Sequence, residues 1–383
     1  MPTLLAKPIT AFNARALASL VTVAGEALNK RLTNILEALV SSVETESDEE
    51  LKEDLDDAIR ALLSSVPDDI GLNTLMQLLL GWYESFSHFC KFKCSLEMCR
   101  AKHHSTIRRS SAFNLFAIFC EETDLDMAYY RYDWISRLVT ALDDSPEVAK
   151  ASWKALSSFT KTISPADMEA LVVPLRSAVE SIGAPGRTVP GFNMPDGIGP
   201  LVPIVLAGLA TGTGEQREAA SYAISFIVEK TDETAIKPFV IRLTGPLIRA
   251  HSAGYPPNVK TAIVVALTTM LQRIPLLVKP FFPQLQRTFV KAASDPSSFG
   301  VRTQGAIGLG ALMAVQPRVD PLVTELYVYI HFIHVIVLIF CLVSLPRRLA
   351  KKASQRLSFS LLRMWRRLHQ PTSVMAPKLQ PQS

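Results

Sequence analysis

The sequence repeats at a spacing of about 42 residues, and this spacing limits the fold more than any other feature. The segment 232–240, Asp-Glu-Thr-Ala-Ile-Lys-Pro-Phe-Val, recurs 42 residues later at 274–282 as Ile-Pro-Leu-Leu-Val-Lys-Pro-Phe-Phe. An Asp-Pro pair at 320–321 follows 41 residues after Pro280. Repeats of about 40 to 47 residues, each holding two helices, are typical of HEAT and armadillo proteins. One helix pair cannot bury its own apolar face, so neighbouring pairs stack and share a core.

Apolar residues recur three and four positions apart along most of the chain, as in amphipathic helices. With 48% hydrophobic residues, the chain can bury a large core. Aspartates just before prolines are predicted N-caps: Asp143 or Asp144 before Pro146, and Asp295 before Pro296. From residue 107 onward the pattern predicts helices over 107–121, 132–142, 145–162, 165–182, 199–209, 215–230, 235–249, 257–273, 278–293 and 301–315. We therefore predict an all-α fold, a HEAT/armadillo-type α-solenoid of stacked helical hairpins.

One segment interrupts this pattern. Residues 184–199 are rich in proline and glycine and cannot form a helix. A long connection at one edge of a solenoid serves either as a spacer or as a recognition element. The sequence leaves both alternatives open.

The sequence contains no catalytic or cofactor motif, so we predict neither an enzyme nor a cofactor. The glycines at 208–214 lack the Lys-Ser/Thr of a nucleotide-binding loop and indicate a helix end. Three cysteines lie near three histidines, but their spacing fits no standard zinc module, and we predict no metal site. These residues are Cys90, Cys94, Cys99, His88, His103 and His104. The five cysteines form no disulfide framework and indicate a reducing, cytoplasmic setting.

Several long motifs resemble a known family, the very large general-control translational activators of eukaryotes. They are the segments 12–25, 111–117, 245–249, 279–291 and 316–326. The resemblance covers roughly residues 1–82 and 101–326, which we expect to be HEAT repeats. It implies a scaffold that rides on ribosomes and binds the kinase of initiation factor 2 alpha. In the amino-acid starvation response such a scaffold helps uncharged tRNA to activate that kinase.

The matched part is similar to the C-terminal portion of the family's repeat array, where the kinase's RWD domain docks. Ribosome contacts of the family lie mostly elsewhere, which argues against direct ribosome contact by this chain. On the resemblance, we select Arg242, Arg249, Arg287 and Lys291 as kinase-binding residues, because these cations can form charge-assisted hydrogen bonds to an acidic partner. The alternative is a generic HEAT-repeat adaptor for transport or assembly, built on the same solenoid.

Two segments depart from the family. Residues 83–100 interrupt a repeat boundary, and residues 327–383 abandon the repeat. Both begin at codons that permit splice donors, so we hypothesise retained introns. Residues 328–345 are almost continuously apolar and are followed by Arg347 and Arg348, which is the pattern of a marginal membrane helix with a basic flank. Membrane attachment through this tail is the minor alternative to a purely cytoplasmic location.

Overall fold

The computed structural model describes residues 3–84, 106–184, 186–252 and 254–316. These residues form helices joined by short connections, and no β-strand occurs among them, which confirms the all-α prediction for the described part of the chain. Most of the segment 83–100, all of 327–383, and the cysteine and histidine group near residue 95 lie outside the described residues. The chain divides into two units, Met1–Lys279 and Pro280–Ser383.

The helices of the first unit alternate between two layers. They are α1 (Ala11–Ala24), α2 (Leu32–Thr45), α3 (Glu49–Ser64), α4 (Asp69–Glu84), α5 (Thr106–Glu122), α6 (Arg131–Ala141), α7 (Pro146–Thr162), α8 (Val172–Ser181), α9 (Leu201–Ala210), α10 (Gly214–Glu229), α11 (Glu233–Ile236), α12 (Val240–Ser252), α13 (Pro257–Arg273) and α14 (Pro275–Val278). In one layer α1, α3, α5 and α7 pack in sequence, and α10 packs on α13. In the other layer α2 packs on α4, α6 on α8, and α9 on α12. This is the stacking of helical hairpins that the 42-residue period predicts.

The described part of the second unit contains two longer helices, α15 (Phe282–Ala293) and α16 (Phe299–Val315), which pack against each other. As expected from the repeat pattern, Val301 and Ala306 are buried. Arg302 donates from Nη1 to the carbonyl oxygen of Asp295 at 2.9 Å. The arginine therefore ties the start of α16 to the preceding turn.

The repeated Lys-Pro-Phe motif breaks each helix that it enters. We predicted continuous helices over 235–249 and 278–293, but 3-10 turns at Lys237–Phe239 and Lys279–Phe281 separate four-residue helices from α12 and α15. Proline has no N–H for the helical ladder and clashes with the preceding turn. The motif thus sets where the second helix of each repeat begins.

Side chains one repeat apart in sequence bond to each other throughout the first unit. Arg15 forms two hydrogen bonds to Asp54, at 2.8 and 2.9 Å, across 39 residues. Arg109 binds Asp144 in the same two-pronged manner, at 3.1 and 2.9 Å, across 35 residues. Further links join Asn29 to Asp68, Glu121 to Ser158, Glu169 to Thr211, Glu218 to Asn258 and Ser225 to Thr269. Each such surface bond stabilises little alone, but together they fix the register of adjacent repeats.

The predicted aspartate N-caps are wrong. Ser145 is the N-cap of α7, and Ser298 caps α16 by accepting from the N–H of Val301. The aspartates have other roles: Asp144 binds Arg109, and Asp143 accepts from the N–H of Gly183 at 3.0 Å. Asp143 and Asp144 therefore link different repeats rather than cap a helix, whereas Asp295 accepts locally from the N–H of Ser297 at 2.8 Å.

The Pro/Gly segment is built into the stack between α7 and α10. Trp153 of α7 donates from Nε1 to the carbonyl oxygen of Asp196 at 3.2 Å. On the other side, the N–H of Val189 donates to the carbonyl oxygen of Lys230 at 2.9 Å. Phe192 is fully buried, and a Cβ at Gly191 would lie 2.7 Å from the side chain of Leu142. The segment contains only a short 3-10 helix, Pro190–Asn193, and takes the place of the first helix in a shortened repeat.

Both alternatives that we left open for residues 184–199 assumed a loop at the edge of the solenoid. Most of its apolar side chains are instead core residues, so the segment is neither a simple spacer nor a free recognition loop. Its buried apolar side chains are Val189, Phe192 and Ile198.

Lys230 joins the end of α10 to the end of α8. Its ammonium donates to the carbonyl oxygens of Val179 at 2.5 Å, Glu180 at 2.9 Å and Ile182 at 2.6 Å. The last carbonyl groups of a helix have no partner within the helix, and a cation is favoured there. Lys230 is 8% exposed, so this cap lies in the interior.

The two sides of the gap at 85–105 meet in the structure. Arg108 of α5 lies over the ring of Trp82 at 4.5 Å, and the ring of Tyr83 lies 5.1 Å from that of Phe113. Because α4 and α5 already pack together, we propose that the repeats do not require residues 85–100. Deleting them leaves a five-residue connection, an ordinary length between paired helices.

We expect this deletion to change the melting temperature of the chain by less than about 2 °C, as measured by circular dichroism. A fall of about 10 °C or more would show that the deleted residues belong to the folded repeats.

Within the described ranges, no single helix is long and apolar enough to cross a membrane. Residues 328–345, the predicted membrane helix, lie outside these ranges.

Candidate partner-binding surface

Helix α12 presents two opposite faces. Its buried residues recur at helical spacing and pack inward: Val240, Leu243, Thr244, Leu247 and His251. Arg242 and Arg249 are exposed and seven residues apart, and two turns of helix bring them onto the same outer face. Gly245 lies between them on that face. The sequence therefore folds into a helix whose outer face carries two exposed arginines, with Gly245, which has no side chain, between them.

Local contacts set the direction of both arginines. The guanidinium of Arg242 lies 5.9 Å from the centroid of the Phe239 ring. Arg249 folds back over Gly245, and its Nη1 lies 3.4 Å from where a Cβ would stand on that glycine. Pro246, inside the helix, cannot donate the usual hydrogen bond to the carbonyl oxygen of Arg242. This face thus combines two guanidinium groups, each with five N–H donors, with a backbone carbonyl group that lacks its usual helical donor.

Neither arginine of α12 is neutralised by a carboxylate in the described part of the chain. Many other arginines are: Arg109 pairs with Asp144 at 2.9 Å, and Arg131 pairs with Asp167 at 3.1 Å. Residues 234–294 hold eight cations and no Asp or Glu. They are Lys237, Arg242, Arg249, Lys260, Arg273, Lys279, Arg287 and Lys291. Such a region attracts an acidic partner and leaves its guanidinium donors available to carboxylates.

Helix α15 repeats the arrangement within the second unit. Arg287 and Lys291 are exposed and four residues apart, so they share one face, opposite the buried Leu285 and Phe289. Lys291 also stands 42 residues after Arg249 in the repeat. Equivalent positions of successive repeats therefore carry a cation.

The structure brings the four selected residues together as two pairs, one on α12 and one on α15, and each pair belongs to a different unit. Two exposed neighbours of the first pair were missed: Lys237, and Ile241, whose side chain is 73% exposed. The acid-free run over 234–294 was a signal for Lys237. No pattern marked Ile241, because an isoleucine at helical spacing indicates core.

No metal or nucleophilic site was found in the described residues. None of their His, Cys, Asp and Glu side chains form a group of three or more that could hold a metal ion. Cys120 is buried, and burial raises the pKa of its thiol, which makes it a poor nucleophile.

Solved structures similar to this chain are helical-repeat proteins. A designed armadillo repeat protein matches 81% of this chain and 97% of its own, at 15% identity and a TM-score of 0.27. A Kap95p structure with RanGDP matches 86% of this chain and 46% of its own, at 14% identity and a TM-score of 0.36.

Sequence comparison gives stronger matches. Residues 1–196 match the family model described as stalled ribosome sensor GCN1-like, HEAT repeats. The eIF-2-alpha kinase activator GCN1 of Saccharomyces cerevisiae is 38% identical over 328 residues. Protein ILITYHIA of Arabidopsis thaliana is 35% identical over 336 residues, and the human stalled ribosome sensor GCN1 is 33% identical over 330. Each match covers 85% of this chain but only 12% of the relative's length.

Proposed function

This chain belongs to the GCN1-like family of HEAT-repeat proteins, and from that premise we propose that it is a docking scaffold of translational control. It binds the kinase that phosphorylates initiation factor 2 alpha and helps to activate it during amino-acid starvation. Two relatives, one named as a kinase activator and one as a stalled ribosome sensor, support this role. The chain spans 12% of the relatives' length. We assign the kinase to this part of the array and the ribosome to the whole protein.

The observation that carries the proposal is the outer face of α12. Arg242 and Arg249 stand exposed on one face with no carboxylate partner in the described part of the chain. A guanidinium held in this way binds a carboxylate through two parallel hydrogen bonds. The occupant is the RWD domain of the kinase, through an acidic surface, with Ile241 as an apolar contact beside the two charges.

The scaffold acts by binding and not by catalysis. Stacked repeats give a long surface, and family members of this kind are named for activating or sensing. The function is performed in the cytoplasm, where translation and its kinases operate.

Titration calorimetry of the 383-residue chain against the purified RWD domain tests the proposal. We expect micromolar or tighter binding that weakens about fivefold or more between about 50 and 200 mM salt, because exposed charge pairs are screened over about 10 Å. Arg187→Ala is the matched control, since Arg187 is an exposed arginine of the Pro/Gly segment, and it should bind like the unmodified chain. Absence of binding at about 100 micromolar would instead favour the transport or assembly adaptor.

A further inference from the structure

A cluster of exposed aromatic and apolar side chains lies at the start of α6, apart from the face of α12. Tyr129 is 85% exposed, Tyr132 is 53% exposed, and Ile70 of α4 is 68% exposed. Together with Tyr130 they form what we call the Tyr129 patch. Large aromatic side chains are costly to leave in water, and a group of them at one place marks a contact surface.

The patch is held in a defined shape. Tyr130 is partly buried and donates from its hydroxyl to Oδ1 of Asn73 at 3.0 Å. Asn73 lies one helical turn from Ile70 on α4, so this bond places Ile70 near the tyrosines. The ring of Tyr129 meets that of Tyr130 edge to face, with centroids 5.0 Å apart and an angle of 85°. The anchored Tyr130 thereby presents Tyr129 to solvent.

Carboxylates surround the patch. The side chains of Asp126 and Asp133 are 74% and 61% exposed, and each stands within three residues of an exposed tyrosine. Asp69, which precedes Ile70 in the sequence, adds a further carboxylate. Partial burial, Tyr129 and the charge of Asp69 raise the pKa of Tyr130. Arg131 pairs with Asp126, and Arg137 pairs with Asp133. These two positive charges are fewer than the negative charges around the patch, which also include Asp124 and Asp167.

The same chain shows which group such a ring accepts. Arginine guanidinium groups lie over the rings of Trp82 at 4.5 Å, Tyr222 at 4.7 Å and Tyr255 at 4.5 Å. Among the described residues, no cation lies over the ring of Tyr129. An open tyrosine face beside carboxylates fits a guanidinium or ammonium better than any other group.

We propose that the Tyr129 patch binds an arginine- or lysine-rich peptide segment of a partner protein. One cation of that segment stacks on Tyr129, its neighbours face Asp126 and Asp133, and its apolar groups cover Ile70. The site is of opposite charge to the face of α12. The two surfaces therefore select different partners.

Fluorescence anisotropy with a fluorescein-labelled peptide of four Lys-Arg repeats tests this proposal on the full chain. We expect Tyr129→Ala to raise the Kd about fivefold and Asp126→Asn to raise it about threefold. Tyr129→Phe keeps the ring and should bind like the unmodified chain. Two controls should also leave the Kd unchanged: Phe12→Ala, an exposed aromatic on α1, and Glu53→Gln, an exposed acid on α3.

Three outcomes would overturn the proposal. They are an unchanged Kd for Tyr129→Ala, an equal rise for Glu53→Gln and Asp126→Asn, and failure of the folded chain to bind the peptide. An equal rise for Glu53→Gln and Asp126→Asn would mean that the peptide responds only to the overall negative charge of the chain. Circular dichroism of every variant shows whether the helices are retained.

Discussion

Replacing Arg242 and Arg249 together by alanine is expected to weaken binding of the kinase's RWD domain about 100-fold. Each charge-assisted hydrogen bond contributes roughly 1.5 to 3 kcal/mol, and about 2.7 kcal/mol corresponds to a 100-fold change in Kd. Alanine is a good helix former and both side chains are exposed, so the fold of α12 should be retained. Calorimetry gives the Kd, and circular dichroism verifies the helix content.

Lysine substitutions refine this result. Arg242→Lys with Arg249→Lys keeps both charges but loses the planar fork, so we expect an intermediate loss of about tenfold. If the lysine variant bound as weakly as the alanine variant, the fork geometry would matter more than the charge. If the alanine variant bound like the unmodified chain, the face of α12 would not be the docking site.

The largest expected effect on stability comes from Lys230→Met, which we expect to lower the free energy of unfolding by about 3 kcal/mol. Methionine keeps the apolar stem but removes the donors to the carbonyl oxygens of Val179, Glu180 and Ile182. Burial lowers the pKa of Lys230, because removal from water disfavours the charged ammonium. The remaining carbonyl groups would be left without partners in a place that water reaches poorly.

Urea denaturation followed by circular dichroism measures this loss. Lys154→Met provides the control, because Lys154 is exposed on α7, and it should change stability by less than about 0.5 kcal/mol. A similarly small change for Lys230→Met would mean that the three carbonyl groups find other partners, and that Lys230 does not hold α8 and α10 together.

The repeat period, together with the apolar residues that recur three and four positions apart, was sufficient to predict the fold class. It also located helices such as α13, predicted and found at 257–273. The period gave wrong predictions where particular residues, mainly prolines and glycines, interrupt the helical pattern. The segment 184–199 contains the signals of a loop, yet its Phe192 is core. Its residues Gly191 and Asp196 meet Leu142 and Trp153, which are distant in sequence. The Lys-Pro-Phe turns were visible as a repeat but not as helix breaks.

The candidate site was predictable only in part. The exposure of Arg242 and Arg249 follows from the amphipathic pattern of α12. Their lack of a carboxylate does not, because Arg109 also has no Asp or Glu within ten residues in sequence and yet binds Asp144 across 35 residues. Ion pairs between repeats depend on which residues the stack brings together. An acid-free run longer than the repeat period, such as 234–294, indicates that such a partner is missing.

Amide hydrogen exchange of the chain, with and without the kinase's RWD domain, tests most directly whether α12 is the docking face. We expect slower exchange over residues 240–252 in the complex, with no change at 128–133 of the Tyr129 patch. If exchange over 240–252 were unchanged and slowed only elsewhere in the repeats, α12 would not be the docking face.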